Sequence, residues 1–398
     1  MKLSKSTFVG MGMACLASSG ASAATLLVGP NGVIETPCKA FAVAEAGDVI
    51  EIEASTYSGD VCAIQKSNLT IRGINGRPKI DAAGKNALGK ATWVVVGNDI
   101  VIDNVEMTGA KVRDKNGAAL RLEGTNFTLR NSFLHGNENG ILGGKKVGST
   151  VTLENNEFGY NGYGDGYSHN VYIGLVAKLI FRFNFSHDTK VGHNLKTRAL
   201  YNMIAYNRFS SMRSDENGGT GAGKPSYEIN VPNGGTTYII GNLIMQPTAS
   251  NNPILVSYGE EGVDEHETDL YVINNTFVND ESSRGTFVVV RKVTTPARLI
   301  NNLFVGFGDI TNQESALQRT NFQWKMPRFV NREAYELRPF TNSFLRAPVK
   351  SFIVDAGSSP GQSASGFSLQ PTSSYKHIAA GNTRPILGKI DIGAYEIQ

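Results

Sequence analysis

The residues best suited to chemistry crowd into the stretch from Gly164 to Asn230. Ser168-His169-Asn170-Val171-Tyr172-Ile173-Gly174 is followed about 24 residues later by Gly192-His193-Asn194-Leu195-Lys196-Thr197-Arg198, and then by Tyr227-Glu228-Ile229-Asn230-Val231. Period-two alternation assigns Val171/Ile173, Leu195/Thr197 and Ile229/Val231 to a core. The opposite face then carries Asn170, Tyr172, Asn194, Lys196, Arg198, Glu228 and Asn230. His169, His193 and His187 fall at or near its edge, and His135 precedes them. Such a patch suits proton abstraction next to a carboxylate. Lys196 is the candidate base, since a neighbouring cation disfavours its protonated form. Arg198 can grip a carboxylate through two hydrogen bonds and offset the charge that builds on it. Tyr172, His169 or His193 can supply a proton to a leaving oxygen. Asn170, Asn194, Glu228, Asn230, His187 and Tyr201 are the expected substrate contacts. A purely structural reading makes Asn170, Asn194 and Asn230 ladder residues and each histidine a packing residue. The cluster is harder to explain that way, because only 18% of the chain is charged.

These residues need a scaffold that sets successive strands side by side. A recurring pattern supplies it: an apolar-alternating strand, an asparagine, then another apolar pair. The marker residues are Asn104, Asn131, Asn156, Asn184, Asn207, Asn242, Asn275 and Asn302, about 23 to 35 residues apart. No such unit buries its apolar face alone, so units must stack in parallel, one strand spacing of roughly 4.8 Å apart. Asparagine tolerates the left-handed backbone of a sharp corner, and its amide can bond to an asparagine one coil away. The predicted fold is all-β, a single-stranded parallel β-helix, a solenoid of stacked coils.

Residues 1–23 read as a signal peptide. Lys2 and Lys5 precede a short apolar run, and Ala21-Ser22-Ala23 fits a cleavage site. The β-helix domain is expected over 24–398. About 24–60 form an N-terminal cap and first coil, with a capping helix from Cys38 to Ala46. Regular coils occupy about 61–310, where the asparagine pattern stops, and C-terminal coils with a covering tail occupy about 311–398. Cleavage leaves Cys38 and Cys62, for which one disulfide is expected. It would close a loop of about 25 residues, worth roughly 3 kcal/mol on the chain-entropy account. The net charge of +3 is too small to argue for a nucleic-acid partner. No second segment has transmembrane character, so no membrane association is expected after cleavage.

The chain resembles the pectate-lyase-like superfamily of right-handed parallel β-helices. The resemblance rests on Leu26-Leu27-Val28-Gly29-Pro30, Ala46-Gly47-Asp48-Val49-Ile50, Thr56-Tyr57-Ser58-Gly59, Leu69-Thr70-Ile71-Arg72-Gly73 and the closing Asp391-Ile392-Gly393-Ala394-Tyr395-Glu396. Asn194-Leu195-Lys196-Thr197-Arg198 with Asn202 and Asn207 is similar to the lysine-bearing coil of the chondroitinase-B and alginate lyase family, in which Lys196 matches the base. That family pairs the lysine with acidic calcium ligands. Here only Glu228 offers a carboxylate on the patch, so no cofactor is required, calcium is optional, and Arg198 or a protonated histidine is the expected substitute.

The resemblance implies a secreted or periplasmic bacterial polysaccharide lyase, acting as a monomer on an anionic, uronic-acid-containing polysaccharide by β-elimination. An epimerase would use the same residues. A glycoside hydrolase would need two carboxylates about 5 to 9.5 Å apart, for which Asp165, Asp188, Asp215 and Glu228 are available. A non-catalytic carbohydrate-binding surface protein would need an aromatic stripe, and Tyr172, Tyr167 and Tyr201 are few. The glycine-rich Asp215–Gly223 borders the patch and reads as a substrate flap, whereas the acidic Glu260–Glu267 reads as a solvated loop with a minor capacity for calcium.

Overall fold

The computed structural model describes residues 1, 23–210, 223–248, 250–263, 267–281, 284–325, 329–331, 336–339 and 352–397. Residues 2–22 of the expected signal peptide and most of the glycine-rich loop lie outside these residues, as do 264–266 of the acidic loop.

The chain winds through three parallel sheets in turn. Among the described residues, sheet 1 has 12 strands, from Thr25–Val28 to Leu317–Arg319; sheet 2 has 11, from Thr56–Ser58 to Phe322–Trp324; sheet 3 has 10, from Cys62–Ile64 to Asp309–Thr311. One coil shows the path: Ile100–Asp103 in sheet 1, Glu106–Thr108 in sheet 2, Ala118–Leu122 in sheet 3, then Phe127–Arg130 back in sheet 1. The stacking keeps alternation in register from coil to coil. In sheet 3 the inward row includes Trp93, Leu120, Ile141, Val171, Leu195, Ile229 and Val256, all buried. Phe158, Phe181 and Phe209 stack down the interior of sheet 2 and its neighbour, with ring centroids 6.1 and 5.7 Å apart.

The corner between sheets 1 and 2 carries a ladder of asparagine amides. Nδ2 of Asn156, Asn184, Asn207, Asn242, Asn275 and Asn302 each donates to Oδ1 one coil on, ending at Asn321. This differs from the expected pattern in three ways. The left-handed backbone belongs to the residue before each ladder asparagine, such as Asn155 (φ 57°), Phe183 (57°) and Tyr206 (58°). Asn104 and Asn131 occupy that left-handed position themselves, leaving Val105 and Ser132 in the inner slot. The repeat also continues past residue 305, because Asn321 sits between the strands Leu317–Arg319 and Phe322–Trp324.

A helix, Pro37–Val43, begins at the N-cap Thr36 and stops short of the expected Ala46. Its Phe41 ring meets Trp93 edge-on at 5.0 Å, and the disulfide Cys38–Cys62 ties it to the first strand of sheet 3. The C-terminal residues run back along the coils. Asn274 Nδ2 donates to the Asp391 carbonyl at 2.8 Å, Tyr238 OH to Ser363 Oγ at 3.1 Å, and Asn155 Nδ2 to the Ala379 carbonyl at 3.1 Å.

Candidate active site

Three consecutive coils of sheet 3 build the site: Val171–Ile173, His193–Thr197 and Tyr227–Val231. Their register sets Tyr172 beside Lys196, Lys196 beside Asn230 and Asn230 beside Ser257, all in one outward row. Arg198 follows the strand end, where its backbone N–H still reaches the Ile173 carbonyl at 2.9 Å. The sequence expectation that Lys196, Arg198 and Tyr172 share one face therefore matches the geometry. Arg198 Nε donates to Tyr172 OH at 2.9 Å, and the Lys196 ammonium lies 6.0 Å from the centre of the Tyr172 ring.

The cations converge on Glu261, a carboxylate in an acidic run expected from its composition to be solvated. Glu261 Oε1 accepts from Lys196 Nζ at 3.0 Å, and its Oε2 meets Arg198 Nη2 at 2.6 Å. Burial resists ionisation of Glu261, but the hydrogen bonds and charges of Lys196 and Arg198 outweigh it and hold the carboxyl below its ordinary range. Neighbouring Glu260 accepts from Tyr227 OH at 3.0 Å, Ser257 Oγ at 3.1 Å and Asn230 Nδ2 at 3.3 Å, with Arg291 at 3.5 Å. The turn is built in place. Gly259 adopts φ +79°, and a Cβ there would come within 2.3 Å of the Arg291 carbonyl. Glu261 N–H donates to the Pro232 carbonyl at 2.8 Å, and Asn233 bridges Arg198 to the Gly262 carbonyl. Counting one more coil past Val231 puts Ser257 on the patch, and Glu260 and Glu261 follow it after the turn at Gly259.

Asn170, Asn194 and Glu228 do not face solvent as alternation predicted. They line the corner where sheet 2 hands over to sheet 3, and each is fully buried. A second, one-way ladder runs there. Asn161 Nδ2 donates to Asn170 at 2.9 Å, Asn170 to Asn194 at 2.7 Å, and Asn194 to Glu228 Oε2 at 2.5 Å. Asn170 also donates to the His187 carbonyl at 2.8 Å, so the end of the next coil's sheet 2 strand, Phe185–His187, covers what would otherwise be an outer face. Glu228 Oε1 has no hydrogen-bond partner among the described residues. Burial pushes the Glu228 carboxyl up to about 8, the Asn194 hydrogen bond opposes this weakly, and the Asp188 charge adds to it. A carboxyl that keeps its proton at neutral pH is a poor substrate or calcium contact.

His169 and His193 lie behind Tyr172. Their rings stack at 4.7 Å, His169 lies 5.8 Å from Tyr172, and His193 lies 5.0 Å from Tyr227. His169 Nδ1 accepts from the His193 backbone N–H at 3.1 Å. Burial, then the nearby His193, Lys196 and Arg198, hold His169 well below its ordinary range; burial and Lys196 bring His193 to about 3. Both shifts favour the neutral rings at neutral pH and weigh against a protonated histidine as the group that neutralises the substrate.

His187 and Tyr201 belong elsewhere. His187 ends the sheet 2 strand Phe185–His187, is buried, and bonds Asp188 at 2.8 Å and Glu157 at 3.2 Å. Burial alone would lower its pKa, but those two carboxylates raise it. His135 is also on sheet 2, 3.0 Å from Glu106. Tyr201 starts the sheet 1 strand Tyr201–Ala205, away from Lys196.

The donor set does not fit a calcium ion beside Lys196. Such an ion takes six to eight oxygens. Glu260 and Glu261 are already engaged by Arg291, Lys196 and Arg198, and no group of three or more acidic, His or Cys side chains converges on a common point among the described residues.

No protein-family model matches the chain, and no curated protein matches it. Among solved structures, pectate lyase Pel9A superposes with a TM-score of 0.62 over 95% of this chain and 97% of that one, at 14% identity. A pectin methylesterase bound to a hexasaccharide gives 0.31 at 13% identity, over 81% and 94% of the two chains. The PL6 family alginate lyase AlyGC gives 0.30 at 14% identity, over 81% and 56%. The last two align too loosely to bear on the site. The fold is that of the pectate-lyase-like right-handed parallel β-helices, and at such identity the likeness extends to the fold alone.

Proposed function

We infer that this chain is a polysaccharide lyase that cleaves an anionic, uronic-acid-containing polysaccharide by β-elimination. The observation that carries this reading is the convergence of Lys196 Nζ and Arg198 Nη2 on one carboxylate, at 3.0 and 2.6 Å. Glu261 stands where a uronate carboxylate would be held. In the proposed reaction Arg198 binds that carboxylate and offsets the negative charge that grows on it as the adjacent proton leaves. Lys196, in its neutral form, takes the proton. The bond between the β-carbon and the glycosidic oxygen breaks, a carbon–carbon double bond forms, and the departing oxygen receives the Tyr172 proton. His169 and His193, neutral and stacked, act as positioning residues that fix Tyr172. Asn230 stays on the outer row but is buried, with its Nδ2 donating to Glu260 at 3.3 Å, so it supports the turn beside the site and does not meet the substrate as an open face. The Cys38–Cys62 disulfide supports action outside the cytoplasm, secreted or periplasmic.

The reading is tested by mass spectrometry of products from pectate and alginate. Elimination gives fragments lacking one water relative to hydrolysis, and Lys196→Ala gives none. Hydrolytic masses would replace the reading with a glycoside hydrolase. Solvent deuterium entering an uncut chain would replace it with an epimerase.

A further inference from the structure

Tyr201, singled out in the sequence but absent from the site, lines a groove on the outer face of sheet 1. Its floor comes from two neighbouring strands in register, with Lys178 beside Tyr201, Ile180 beside Met203 and Arg182 beside Ala205. The C-terminal stretch from Phe367 to Thr372 forms one wall, joined to the floor by the Thr372 N–H donating to Tyr206 OH at 3.0 Å. The cavity measures about 420 Å³, within the span of roughly 300–1,000 Å³ typical of small-ligand sites.

We propose that this groove is a second, non-catalytic binding site for an anionic sugar unit of a polysaccharide chain. Three features carry it. First, the lining is cationic: Lys178 and Arg182 border the groove and, among the described residues, no carboxylate lines it. Arg182 shares its charge with Glu154 of the preceding coil. Lys178 makes no ion pair among the described residues, and its ammonium lies 4.8 Å from the centre of the Tyr201 ring. Second, Tyr201, Tyr206 and Phe367 offer aromatic faces, the surface on which the C–H face of a sugar ring packs. Third, Ser368, Gln370 and Thr372 offer hydroxyl and amide groups able to bond sugar hydroxyls. The Tyr201 hydroxyl adds a donor that stays protonated, since burial raises it to about 12.

A long polymer could engage this groove and the sheet 3 site together or separately, so the test separates binding from turnover. The full chain carrying Lys196→Ala is passed over immobilised pectate, immobilised alginate and neutral dextran, alone and with Lys178→Glu or Tyr201→Ala added. Lys178→Glu should cut retention on at least one polyuronate about fivefold or more. Tyr201→Ala should cut it too, with dextran unaffected. In the otherwise unaltered protein, neither change should alter turnover of short oligosaccharides. Equal retention of all variants, or no polyuronate retention by any, overturns the inference. Elimination products with unchanged retention would sink this inference and leave the lyase reading intact. Groove-dependent retention without elimination products would do the reverse.

Discussion

Glu228→Gln isolates the energetic consequence of a buried acid at the end of a one-way ladder. Glu228 accepts from Asn194 and is fully buried. Its ordinary value is 4.5, and burial raises it to about 8 in the folded chain. The folded state thus holds a proton that the unfolded chain releases. The stabilisation from that protonation is fully present below 4.5 and is lost as pH rises through about 8. Each pH unit of that window costs about 1.4 kcal/mol. The whole window is worth at most about 5 kcal/mol, and a few kcal/mol once the interior's effective dielectric is allowed for. Glutamine keeps the shape and an oxygen for Asn194 but cannot ionise. His169 and His193, whose values are depressed, pull the other way: they lower stability as pH falls through the ordinary histidine range. The difference between variant and parent cancels that contribution. Urea unfolding at pH 5 and pH 8 should show the variant gaining a few kcal/mol on the parent between the two. A difference that does not change with pH would refute the assignment of a raised, buried acid.

Further outcomes follow from the same contacts. Asn242→Ala removes ladder bonds to Asn207 and Asn275 and strands the Ile204 carbonyl; it should cost about 1–3 kcal/mol in urea unfolding and speed amide exchange in the adjoining coils. Replacing both Cys38 and Cys62 by Ala should cost about 3 kcal/mol, read in the same assay. Glu261→Gln removes the carboxylate that competes with substrate for Lys196 and Arg198; the concentration of polyuronate giving half-maximal rate should fall about two- to fivefold. The same unit of charge removed by Glu267→Gln should leave it unchanged. Arg198→Lys loses the forked contact to Tyr172 and Asn233 and should lower turnover about 100-fold or more, measured as initial rate.

The coil spacing was legible because a narrow core demands the same apolar row in every coil, and Val171, Leu195 and Ile229 fill it. Lys196, Arg198 and Tyr172 were legible for the same reason, since they stand opposite that row in the middle or at the far end of their strands. Alternation misled at the near ends. Asn170, Asn194 and Glu228 begin their strands at a corner, where the preceding sheet covers the face that should be open. At the other corner the two asparagine roles fall on adjacent residues, as Asn155 and Asn156 show, so repeat spacing alone does not separate them. Glu260 and Glu261 looked like a solvated run. Only the turn at Gly259, which folds the chain back over Pro232, brings them onto the patch.

The most direct test of the central claim is the ultraviolet absorbance of the protein incubated with pectate and with alginate, beside Lys196→Ala at equal concentration. The account predicts a rising signal from unsaturated chain ends with one of them, absent in the variant. A signal that survives Lys196→Ala, or none from either polymer, would contradict Lys196 as the base of an elimination.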